Sequence, residues 1–141
     1  MRPPEQVKRE LIQQWLAKAE EDFSVGEYLL SEDTAYLSAI GFHAQQAAEK
    51  FLKALLVWHQ IEFPKTHDLD ELLDLVATID VPLAESLRDV IDLSVYAVDI
   101  HYPSDFPEMT PDDAREALKL AAKTRDAIRS ALKEFLEEGS S

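Results

Sequence analysis

Apolar side chains recur every three or four residues over long stretches of this chain and nowhere alternate, a pattern that commits it to helix. Between residues 5 and 30 the repeat runs Leu11/Ile12, Trp15/Leu16, Ala19, Phe23, Gly26 and Leu29/Leu30, a stripe suited to burial along one side of a helix. Only three glycines occur in 141 residues, and long runs of Ala, Leu, Glu and Lys favour helix over strand. The expected fold is all-α, an antiparallel up-and-down bundle of four long helices plus one shorter helix.

Punctuation residues set the expected boundaries. The turn at residues 31–34 is short, so a second helix over about 35–60 should return antiparallel to the first. It would bury Leu37, Ile40, Ala44, Ala47, Ala48, Phe51, Leu55 and Trp58, with Pro64 barring its continuation. Asp68, followed three residues later by Glu71, reads as the cap of a shorter helix to about residue 78. Asp80 and Pro82 open a fourth helix reaching about residue 99. Thr110, Pro111 and Asp113 start the last, which ends near residue 137. A single domain spans residues 1–141, with its core over about 5–137 and a flexible tail at 138–141.

Charge and composition exclude several chemistries. A net charge of −14 argues against wrapping a nucleic-acid backbone. The acid is unevenly spread: residues 68–113 hold thirteen Asp and Glu against one base, Arg88, whereas residues 114–133 hold six bases against two acids. An anion would therefore be welcome only on the second and last helices. The chain has no cysteine, which removes disulfides, thiolate metal sites and thiol nucleophiles. His43, His59, His67 and His101 never pair at the four-residue spacing of a helical zinc site, and no metal or other cofactor is expected. Three glycines provide neither a phosphate-cradling loop nor a nucleophile elbow, so no catalytic residue is assigned. No apolar run approaches the ~18 residues of a membrane span, and no secretory signal pattern opens the chain; a cytoplasmic protein is expected.

One segment carries more than helix propensity. In FHAQQAAEKFLKALL, residues 42–56, the polar side chains His43, Gln46, Lys50 and Lys53 follow at intervals of three and four and stack along one side of a helix. His43 and Gln46 could supply hydrogen bonds, and Lys50 and Lys53 charge, to a phosphate, a nucleotide or an acidic partner. The plainer reading is a solvated lysine face beside a histidine bonded to a neighbouring helix.

FHAQQAAEKFLKALL, the downstream KTHDLDEL at residues 65–72 and the late Tyr102-Pro103 pair resemble the HEPN domain family, over about residues 15–136. The resemblance implies a helical bundle that commonly forms homodimers and, in its minimal form, often accompanies a nucleotidyltransferase partner in toxin–antitoxin fashion. Ribonucleases of that family carry an Arg followed by four to six residues and a His, and no arginine here precedes a histidine at that spacing. The nearest substitute is Lys53, separated from His59 by five residues, and lysine cannot reproduce a bidentate guanidinium clamp. The chain therefore resembles the non-catalytic branch, whose members are proposed to bind nucleotides or a nucleotidyltransferase. Carried over by position, the ligand-binding residues are His43, Gln46, Lys50, Lys53, His67, Asp68, Tyr102 and Pro103. His101 stands where the family pattern expects an arginine, which weakens the phosphate contact there. Asp68 also reads as a plain helix cap, and Tyr102-Pro103 as loop packing. Two alternatives stay open: a metal-independent ribonuclease toxin using Lys53 and His59, and a purely structural oligomerisation module.

Overall fold

The computed structural model describes residues 4–97 and 108–139. Within them the chain is helical: α1 (Pro4–Ser31), α2 (Leu37–Trp58), α3 (Leu69–Ala77), α4 (Val81–Ser86), a 3-10 helix (Arg88–Tyr96), α5 (Pro111–Ala131) and α6 (Lys133–Gly139). The expected all-α fold is observed, with three long helices and several short segments in place of four long ones.

α2 is the central element. Its faces toward α1, α5 and the α3 to 3-10 region are all covered, and Ile40, Ala44, Ala47, Ala48, Phe51, Leu52, Leu55 and Leu56 are buried. From α1 it receives Ile12, Leu16, Ala19 and Phe23, as the apolar repeat requires, whereas Leu11 beside them points outward and is 42% exposed. Lys8 packs on Trp58, Trp15 lies beside Lys53 and Asp22 meets His43, so α1 and α2 run antiparallel. Glu20 with Arg129, Phe23 with Arg125 and Gly26 beside Leu118 place α5 antiparallel to α1 as well.

Both ends of the α1–α2 hairpin stop by the same device. After α1, Asp33 adopts φ 51°, with Asp33 N–H donating to Leu30 O and Thr34 N–H to Leu29 O. After α2, Gln60 adopts φ 57°, with Gln60 N–H donating to Val57 O at 3.0 Å and Ile61 N–H to Leu56 O at 2.9 Å. A left-handed residue followed by this pair of bonds closes a helix by itself. α2 therefore ends before Pro64 is reached.

The expected fourth helix is broken at Leu87. Asp80 caps α4 through Leu83 N–H as anticipated, but from Arg88 the chain tightens into a 3-10 helix. Leu87, Val90 and Leu93 are fully buried at intervals of three and Tyr96 is half-buried, which matches the three-residue turn of a 3-10 helix, where i and i+3 eclipse. Val90, Ile91 and Val95, together with Asp89, Asp92 and Ser94, also lower α-helix propensity there. Downstream, Thr110 and Asp113 form the reciprocal capping box, and a one-residue break at Leu132 separates α5 from α6.

Candidate functional site

The stripe on α2 lies alongside α1, and neighbouring elements meet each of its ends. At the shallow end, Asp22 of α1 holds two residues of α2 at once. His43 Nδ1 lies 2.9 Å from Asp22 Oδ1, and Lys50 Nζ donates to Asp22 Oδ2 at 2.5 Å. The Asp22 side chain is 13% exposed and those of His43 and Lys50 26% and 21%, so the trio sits at the surface without being solvated freely. In the neutral imidazole, Nδ1–H facing a carboxylate leaves Nε2 with its lone pair.

At the deep end, Glu49 is the hub. Oε1 accepts from Gln45 Nε2 at 3.1 Å and faces His67 Nδ1 at 2.8 Å, while Oε2 accepts from Lys53 Nζ at 2.9 Å. Gln45 also donates to the His67 carbonyl at 3.1 Å, tying the α2–α3 connection down by backbone and side chain together. Gln46 donates to Gln45 Oε1 at 2.7 Å, which joins the visible stripe to this buried network. The Lys53 ammonium lies 5.4 Å from the Trp15 ring centroid and 5.5 Å from that of Phe63, an aromatic backing that suits a cation withdrawn from water. Among the described residues no buried side-chain nitrogen or oxygen lacks a partner.

Six of the eight residues anticipated for ligand binding are therefore placed. His43 and Lys50 converge on Asp22; Lys53 and His67 converge on Glu49; Gln46 connects through Gln45. Asp68 does not join them: its carboxylate accepts from Asp70 N–H at 3.0 Å and caps α3. Tyr102 and Pro103, together with His101, lie outside the described residues. The lysines differ from expectation in one respect, since each has a carboxylate partner. With both imidazoles neutral, Asp22 and Glu49 cancel Lys50 and Lys53. The face is a balanced polar network, and an incoming anion competes with residues already in place.

Asp22, Gln45 and Glu49 carry no weight in the sequence pattern as read above. Gln45, Glu49 and Lys53 lie four apart, so an interacting row was legible. Asp22 was not, because its approach to α2 depends on the register of the α1–α2 hairpin.

A groove of about 520 Å³ runs along α1, lined by Leu11, Gln14, Trp15, Ala17, Lys18 and Glu21, and shares Trp15 with the Lys53 contact. At the other end of α2, Tyr96 packs over Gly41, and burial together with the nearby carboxylates of Asp113 and Asp92 raises its phenol above the usual value of 10.0. His59 is exposed at the end of α2, whereas Lys53 is buried and paired with Glu49. No group of three or more His, Asp or Glu suited to a metal occurs among the described residues, and none of their helices is long and apolar enough to cross a membrane.

The HEPN domain family model matches residues 12–131, which takes in α1 from Ile12, the whole network and all of α5. The chain belongs to the HEPN domain family. Its bundle is also similar to a solved structure, that of TT1696 from Thermus thermophilus, with a TM-score of 0.69 and 28% sequence identity. That similarity covers 84% of this HEPN chain and 96% of the Thermus protein. No curated protein matches the chain.

Proposed function

We propose that this HEPN protein is a non-catalytic binding module whose α2 face takes up a nucleotide, in a toxin–antitoxin-like setting with a nucleotidyltransferase as protein partner. The observation that carries the reading is the pairing of His43 and Lys50 on the single carboxylate of Asp22 at the protein surface. A solvated lysine face would leave these side chains independent; here their heads are held together before any ligand arrives. Two donors aimed at one point leave a seat suited to a single anionic group. Gln46 and, farther along the face, His67 would add hydrogen bonds, and Tyr102 and Pro103 belong to the same proposal by the family pattern. Homodimerisation and a cytoplasmic location complete it.

Catalysis by a Lys53/His59 pair has less support. Lys53 is sequestered by Glu49, Trp15 and Phe63, and no Arg-to-His signature stands in the chain.

The test is a thermal-shift panel of nucleotides on the wild type and Lys50→Ala. A nucleotide at 100 times its Kd stabilises the wild type by about 2.7 kcal/mol, and Lys50→Ala should reduce that shift strongly. No shift with any nucleotide, or equal shifts in both proteins, would remove this face as the site. Co-expression with a nucleotidyltransferase and light scattering test the partner and the dimer separately.

A further inference from the structure

The two ion-paired halves of the α2 network are built differently. Glu49 is sunk, with its side chain 4% exposed, and it joins Gln45, Lys53 and His67, so removing it would break contacts to three groups at once. Asp22 is shallower, and it pairs with two side chains that reach the surface beside it. Each of its oxygens serves one donor: Oδ1 faces His43 Nδ1 and Oδ2 accepts from Lys50 Nζ. His43 and Lys50 stand two turns apart on α2, about 10 Å along its axis, and reach toward a common point from either side. Two donors converging on two oxygens of one anionic group is also how a phosphate monoester is held.

From this contrast we infer that Asp22 is a resident anion: its carboxylate occupies the seat between His43 and Lys50 that the phosphate of a phosphate monoester takes when it binds. The inference rests on the α2 face being the ligand site, and it adds both the ligand's recognised group and an autoinhibitory contact. Exchange needs no proton transfer, because His43 Nδ1–H can donate to either anion. Lys50 keeps its charge and exchanges one oxygen acceptor for another. Glu49 stays in place throughout and holds the remainder of the face. The carboxylate is tethered, so it acts as an intramolecular competitor at a fixed effective concentration and weakens ligand affinity by a constant factor.

Asp22→Asn preserves shape while removing the charge that competes, and Asp22→Ser removes the reach as well. Binding of inorganic phosphate, adenosine 5′-monophosphate and adenosine is measured by calorimetry on the wild type, both Asp22 variants and Lys50→Ala, with melting curves to show that each is folded. A partly exposed ion pair worth about 1 kcal/mol corresponds to roughly a fivefold gain in affinity on its removal. The expected result is a gain of that order for the monophosphate in both Asp22 variants, loss of binding in Lys50→Ala, and no gain for adenosine. A parallel gain for inorganic phosphate would assign the seat to the phosphate group alone; a gain restricted to the nucleotide would assign it to a phosphate aided by base or sugar contacts. Wild-type binding that is unchanged or weakened in folded Asp22 variants would overturn the inference and make Asp22 a positioning residue, while leaving nucleotide binding intact. Absence of binding in the wild type and in both Asp22 variants would overturn the nucleotide reading and the inference together.

Discussion

Glu49→Gln isolates the energetics of the buried network, because the substitution keeps the shape of the side chain and removes only its charge. Lys53, 7% exposed, would then keep its ammonium among Trp15 and Phe63 without a counter-ion, and His67 would lose its carboxylate. Breaking a buried ion pair from one side costs about 3–5 kcal/mol, of which the aromatic backing of Lys53 recovers a part. The lower figure, about 3 kcal/mol, is therefore the expected loss. For a chain of this length the unfolding entropy is roughly 0.3 kcal/mol/K, so the melting temperature should fall by about 10 °C. Urea titrations and thermal melts followed by circular dichroism measure both quantities. Glu49→Gln/Lys53→Met removes the pair from both sides and should recover much of the loss, since an apolar replacement of a buried pair is often neutral. A loss below about 1 kcal/mol in Glu49→Gln would place the pair among solvent-screened surface bridges and refute the reasoning.

Three further outcomes follow from other parts of the molecule. Gln60→Gly should stabilise the protein by about 1 kcal/mol in urea titration, because glycine adopts the left-handed conformation at the end of α2 without Cβ strain. Gly41→Ala should destabilise by about 1–2 kcal/mol, since its Cβ would stand 2.9 Å from the base of the Tyr96 ring, whereas Gly26→Ala should be close to neutral because only the flexible tip of Leu118, at 2.8 Å, must move. Tyr96, whose phenol is raised by burial first and then by Asp113 and Asp92, makes the folded state hold a proton that the unfolded chain begins to release near pH 10. Its contribution is complete below that pH and is lost as pH rises through the folded value; melts from about pH 8 to 11 should show a smaller alkaline loss in Tyr96→Phe.

The long helices were legible because their signals are local. The stripe from Ile12 to Phe23 and the Thr110–Asp113 capping box need only neighbouring residues, and both appear where the spacing put them. The 3-10 helix merges, in the sequence pattern, with a longer α-helix, although Leu87, Val90, Leu93 and Tyr96 at intervals of three carry its period; Asp80 and Pro82 signal a helix start and say nothing of its pitch. Within the candidate site, the order of polar residues on α2 was readable, but their partners were not. Asp22 meets His43 across 21 positions and His67 meets Glu49 across 18, distances set by tertiary register and by the α2–α3 connection. That is why a row which spacing presents as free positive charge proves to be internally neutralised. It also moves attention from Lys53, which is buried, to His43 and Lys50, which are partly exposed.

The central claim is that the surface trio of Asp22, His43 and Lys50 forms the ligand seat of this HEPN domain. Titration of the isotopically labelled protein with adenosine 5′-monophosphate, followed by backbone amide and histidine-ring resonances, tests it most directly. Saturable shifts centred on Asp22, His43, Gln46 and Lys50, with little change in the Glu49 hub, are the predicted result. No saturable shift, or shifts centred on another face such as the basic side of α5, would contradict it.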